Sequence, residues 1–162
     1  RKKIPIYADL ITKRSLINTF GYCFEDYKNY PSILDAKTLK NKHILNDINS
    51  KIVIKSLKVH HGSIKSICYI INDKCAYAPD VNYIDSKDLK YLKNLKYFIV
   101  DCLRYNFHPT HFNLDDVLKL IRKLKPKKAI LTNLSNEIDY NEIKKKLPKN
   151  VIPAHDGLTV LI

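Results

Sequence analysis

Five short segments of this 162-residue sequence carry side chains able to do chemistry. They are His60-His61-Gly62, Tyr77-Ala78-Pro79-Asp80, Asp101, His108-Pro109-Thr110-His111 and Leu131-Thr132-Asn133. Most follow or end an apolar run, and α/β proteins gather their sites where loops converge at the ends of buried strands. Imidazole and carboxylate together suit a borderline divalent cation. Asp80 reads either as a metal ligand or as the cap of a loop. His61, beside a glycine that lets the backbone approach closely, reads as a ligand or as an ordinary polar histidine. His108 and His111, separated by Pro109 and Thr110, suit metal binding or general acid work; no third close ligand accompanies them.

Taken in order, these segments resemble something specific. His61-Gly62, Tyr77 to Val81, Asp101-Cys102, Thr110 to Asp116, Ala129 to Asn136 and Ala154 to Leu158 are similar to the C-terminal part of the metallo-β-lactamase superfamily. The branch they resemble most is that of the phosphonate-operon cyclic phosphodiesterase. The match is good over 57–162 and loose over 1–56, and the chain is read as a single domain over 1–162. The resemblance implies an α/β fold, a partial metallo-β-lactamase-type αββα sandwich with a mixed sheet and flanking helices. It implies metal-assisted hydrolysis of a phosphodiester, with zinc or manganese as cofactor. His61 and Asp80 stand at metal-ligand positions, and His111 at that of a histidine that protonates the leaving group. His60 is taken as a neighbour of the ligand.

The departures are equally specific. The family signature His-x-His-x-Asp-His is absent and would lie upstream of residue 1. Asn133 stands where the family has its last metal-binding histidine, a degenerate ligand position. Asn136 replaces a second histidine and, with His155 and Asp156, falls at substrate-side or supporting positions. Two retained ligands are too few for zinc, which needs at least three protein donors in a catalytic site. The expectation is a truncated or degenerate hydrolase, inactive alone, with the metal not retained. The alternatives are the C-terminal half of a split enzyme completed by an N-terminal polypeptide, or a basic module for nucleic acid or an acidic partner.

The elements that must position these residues follow from periodicity. Ile4–Ala8 reads as a strand, and Asp9 caps a helix from Leu10 to about Phe20. Residues 21–50 are undecided apart from a short strand near Ile33–Leu39. From Lys51 apolar and basic residues alternate as in a strand, followed by Ile67–Ile71, a turn at Asn72-Asp73, and Cys75–Ala78. A helix capped by Asp85 or Ser86 carries Leu89, Leu92 and Leu95. Tyr97–Val100 is an apolar strand ending at Asp101. Asn113 caps a helix with Val117, Leu118, Ile121 and Leu124 on its buried face, stopped by Pro126. Ala129–Leu131 is a strand, Asn141–Leu147 a basic helix, and Val151–Ala154 and Leu158–Ile162 closing strands.

Composition narrows the classes. Three glycines exclude a Gly-rich phosphate loop, and no apolar run approaches the ~18 residues of a membrane span. The absence of Met leads to the expectation of a processed, split or truncated piece. Four cysteines without a C-x-x-C pair read as reduced thiols in a cytoplasmic protein. Lys plus Arg is 29 against 16 acidic residues, a net +13. Arginine is scarce, so the lysines around 123–149 are read as a solvated face, and nucleic acid is not expected as partner. Expected partners are an N-terminal half polypeptide or a second copy, and a phosphodiester substrate if the site works; no membrane is expected.

Overall fold

The chain opens with the apolar run Ile4–Ala8 (β1), and the Asp9 carboxylate then starts a helix. It accepts from the Ile11 and Thr12 amides at 2.9 and 3.2 Å, satisfying two of the N–H groups that a helix start leaves free. That helix, Leu10–Thr19 (α1), is followed by a 3₁₀ turn at Gly21–Cys23 and by Leu34–Thr38 (β2). β1 and β2 pair in parallel, Ile4 opposite Leu34 and Ala8 opposite Thr38. The computed structural model describes residues 2–47 and 50–162. The chain forms two compact units, residues 1–43 and 44–162. Among the described residues of the first unit, only Ser32 is buried.

A seven-stranded mixed sheet follows, in the order of the chain: Lys42–Asp47 (β3), Ser50–His61 (β4), Ile64–Ile71 (β5), Cys75–Ala78 (β6), Tyr97–Asp101 (β7), Lys128–Thr132 (β8) and Val151–Pro153 (β9). β4, β5 and β6 are antiparallel neighbours, while β6 to β9 run parallel. Consequently β4 and β6 to β9 all point the same way, and their C-terminal ends share one end of the sheet. Asn72 and Asp73 make the β5–β6 connection with φ of 52° and 53°, a left-handed backbone that short polar side chains tolerate.

Two helices pack on this sheet. Leu114–Leu124 (α2) buries Val117, Ile121 and Leu124 at i, i+4 and i+7, and the Asn113 side chain caps it by accepting from the Asp116 amide at 2.9 Å. Tyr140–Lys146 (α3) is capped by Asp139 and buries Ile143. These apolar faces join Phe98, Val100, Leu131 and Leu92 in one core. Each fully buried side chain of this kind contributes roughly 1.5–3 kcal/mol.

Three expectations are corrected. The leucines at 89, 92 and 95 are buried, but only Leu89–Leu92 turns, as a 3₁₀ helix that ends before the left-handed Asn94. Neither Asp85 nor Ser86 caps it; Asp85 turns to His60 instead. Leu158–Ile162 is not a strand, since no ladder partner is present among the described residues and Leu161 is 81% exposed. Within the undecided stretch the structure adds β3, while residues 48 and 49 lie outside the described residues.

Candidate metal centre

The parallel sheet end gathers the chemistry. His61 closes β4, Asp80 lies two residues past β6, Asp101 closes β7, and Asn133 follows β8 directly. The loop carrying His108 and His111 runs from β7 back to α2. His61, Asp80 and His111 form one group whose candidate ligand atoms lie within 4.8 Å of one another.

Each imidazole is oriented by a partner. His61 Nδ1–H donates to the Thr110 carbonyl at 2.8 Å, which fixes the tautomer and leaves Nε2 with its lone pair. His111 Nδ1–H donates to Asp101 Oδ2 at 2.6 Å, and its side chain is 15% exposed. Asp101 itself is fully buried. It also accepts from the Val81 amide at 3.2 Å and from Asn133 Nδ2 at 3.1 Å. Burial raises the Asp101 pKa above the usual carboxylate value, against the opposing pull of Val81, His111 and Asn133. Partial burial, helped by Arg104 and then His111 and His61, holds His108 below the usual imidazole value. The rings of His61 and His111 meet edge to face with centroids 4.6 Å apart, and His108 stands 5.1 Å from His111.

A glycine sets the approach of the loops. Gly62 has φ +63°, and a Cβ there would lie 2.6 Å from Thr110 Cγ2. Asn82 ties the same loops together, accepting from the Gly62 amide at 3.0 Å and donating to the Pro109 carbonyl at 2.9 Å.

The residues singled out in the sequence therefore fall into separate places. His61, Asp80 and His111 converge. Asn133 does not present a replacement imidazole: its amide nitrogen donates to Asp101, which leaves a neutral amide oxygen, a weaker donor than imidazole for zinc. His155 and Asp156 line a cavity of about 350 Å³ with Thr132, Asn133, Leu134 and Ala154, and His155 packs edge-on to Tyr140. Asn136 is exposed and does not line that cavity. His60 contacts Asp85 at 3.2 Å and the Tyr83 ring, so it braces the β4 end beside His61. The Asp101–His111 pair was not read from the sequence, although an Asp ending a continuous apolar strand already signalled a carboxylate that must find a partner.

Comparison with known proteins gives the following. The Beta-lactamase superfamily domain family matches residues 1–132. A diphosphatase from the PhnP family superposes with a TM-score of 0.86 at 25% identity, over 100% of this chain and 60% of its own. The metallo-beta-lactamase fold protein YhfI from Bacillus subtilis gives 0.70 at 17% identity, over 96% of this chain and 64% of its own. Zinc-bound PqqB from Methylobacterium extorquens gives 0.72 at 11% identity, over 99% and 66%. The chain thus spans about 60–66% of the length of these relatives. No curated protein matches the sequence.

Proposed function

We propose, from the premise that this chain belongs to the Beta-lactamase superfamily domain family, that it carries part of the divalent-metal centre of a phosphodiesterase-like hydrolase and does not hydrolyse substrate alone. The convergence of His61, Asp80 and His111 at the C-terminal end of parallel strands carries this reading. His61 Nε2 and an Asp80 oxygen are the donors offered to a zinc or manganese ion. The donor set fits such an ion in kind, imidazole with carboxylate, but falls short in strength, since the position of Asn133 offers a neutral amide oxygen in place of imidazole. When bound, metal in such a site lowers the pKa of a coordinated water and stabilises charge on phosphoryl oxygens.

The remaining steps belong to the protein. Asp101 holds the His111 ring by Nδ1, so that Nε2 is the nitrogen able to hold a proton for a leaving oxygen. Thr110 holds His61 in the tautomer a ligand needs. His155 and Asp156, in the cavity beside Asn133, are placed to meet the rest of a substrate.

The 4.8 Å grouping also supports a second reading, with His111 as a third metal ligand held by a carboxylate. Metal titration of His111→Ala separates the two. Proton donation predicts metal binding equal to the wild type, whereas ligation predicts at least a tenfold weaker Kd. The whole proposal is tested by hydrolysis of bis(p-nitrophenyl) phosphate with added zinc or manganese. Turnover at the metal-only background supports it; turnover by the pure chain that is lost in Asp80→Ala overturns it.

A further inference from the structure

Thr110 stands between two histidines and presents opposite backbone groups to them. Its carbonyl accepts from His61 Nδ1–H at 2.8 Å, whereas its amide donates to His108 Nδ1 at 3.3 Å. The Thr110 hydroxyl lies 3.3 Å from the same His108 nitrogen. An amide N–H can only donate, so His108 Nδ1 is an acceptor and the ring proton sits on Nε2. His61 and His111 both donate through Nδ1 and carry the reverse arrangement. Of the three rings grouped at this sheet end, two therefore hold a lone pair at Nε2 and His108 holds an N–H. With Nδ1 engaged and Nε2 protonated, His108 has no lone pair for a cation, and it stands outside the His61, Asp80 and His111 group. Its Nε2–H has no hydrogen-bond partner among the described residues.

The loop holds this donor in place. The Arg104 guanidinium donates to the Phe107 carbonyl at 2.8 Å and the Asn82 amide to the Pro109 carbonyl at 2.9 Å, which fixes the backbone on both sides of His108. The half-buried ring lies 5.1 Å from that of His111, which in turn lies 4.6 Å from that of His61. A donor fixed before its ligand arrives loses little freedom on binding. What suits it is an acceptor oxygen beside His111. A phosphodiester brings two non-bridging oxygens that share one negative charge, and a hydrogen bond to a charged acceptor is stronger than one between neutral groups.

We propose that His108 binds substrate in this site, as a neutral donor from Nε2–H to a non-bridging oxygen of the phosphodiester, with its tautomer set by Thr110 opposite to that of His61. This role rests on the phosphodiesterase-like reading of the site and adds the residue that orients the phosphoryl group beside His111.

The test is nitrogen-edited NMR of the imidazoles in the full chain at about pH 8, above the ordinary imidazole value. His108 should show its proton on Nε2, and His61 its proton on Nδ1. Bis(p-nitrophenyl) phosphate is then titrated with and without zinc into the wild type, His108→Gln and His108→Leu. Glutamine places an amide N–H near the position of Nε2–H, and leucine has no donor. The expected result is a shift at His108 Nε2, a Kd about tenfold weaker in His108→Leu, and one within about twofold of the wild type in His108→Gln. His61 should keep its tautomer in both variants. A His108 proton on Nδ1, equal affinity of His108→Leu, or no binding by the wild type under either condition would overturn the proposal. So would an equal shift of His108 by acetate, which would make it a general anion contact, or a changed His61 spectrum in His108→Leu, which would make it a brace of the loop. Should His108→Leu fail to fold by circular dichroism, His108→Ala is read in its place with the same outcomes. Metal retention and turnover report on His61 and Asp80 and leave this contrast untouched, so the two readings fail separately.

Discussion

Asp101 has no exposed surface and accepts three hydrogen bonds, so its charge and shape are both committed. Replacing it by Asn sets an amide N–H against donors already in place, at a cost of about 1–3 kcal/mol. A lower Tm and loss of the Nδ1–H signal of His111 in nitrogen-edited NMR are the expected outcomes; an unchanged imidazole spectrum would contradict the pairing. Gly62→Ala meets both a left-handed backbone and Thr110 Cγ2, and should cost about 1–3 kcal/mol. Gly62→Ala/Thr110→Ser removes the offending methyl and should recover part of that loss in thermal melts. At this scale the sequence was informative about residue types and silent about partners. His61 and Asp80 stood out as candidates because imidazole and carboxylate at strand ends are types that a borderline cation takes. The Thr110 carbonyl and the Asn82 clamp were not visible, because backbone acceptors and loop approach leave no residue-type signal.

The helices carry their instructions locally, and the strands less so. Asn113 was legible as the cap of α2, and its replacement by Ala should cost about 1 kcal/mol. Asp116, in the first turn, is held below the usual carboxylate value chiefly by its hydrogen bond from Lys119; burial opposes this, and the Asn113 side chain and the Lys119 charge add to the lowering. A depressed pKa in the folded state means that this contribution is fully present above the unfolded value near 3.8. It is lost as pH falls through the folded one. Asp116→Asn should therefore narrow the stability difference from the wild type between pH 5 and pH 2; a constant difference across that range would contradict the assignment. Where the sequence misled, the cause was tertiary. Leu89, Leu92 and Leu95 have the three-residue spacing of a 3₁₀ turn as much as that of a helix face, and the left-handed Asn94 ends the segment. The apolar tail at Leu158–Ile162 looked like a strand but has no neighbour among the described residues to complete a ladder.

Across the whole chain, burial is unequal. The core lies in residues 44–162, whereas in 1–43 Ile11 is 81%, Tyr22 77% and Tyr30 79% exposed. Limited proteolysis should cut within 1–43 well before it cuts β6 to β9; equal rates would contradict this distribution of stability. The thiols report the same contrast. Burial pushes Cys68 and Cys102 up to about 12, and Cys75 is buried too, leaving Cys23 as the accessible thiol. Ellman's reagent should titrate one thiol quickly in the native protein and the other three only on unfolding. The mixed α/β sheet was legible from the alternation of short apolar runs and capped helices. The gathering of His61, Asp80, Asp101 and His111 at one sheet end was not, because it depends on which strands run parallel. The central claim is that His61, Asp80 and His111 form an incomplete metal centre, and elemental analysis tests it most directly. The purified chain would be saturated with zinc or manganese and then exchanged into metal-free buffer. The account predicts well under one metal per chain; one or more retained per chain, and lost in His61→Ala and Asp80→Ala, would contradict it.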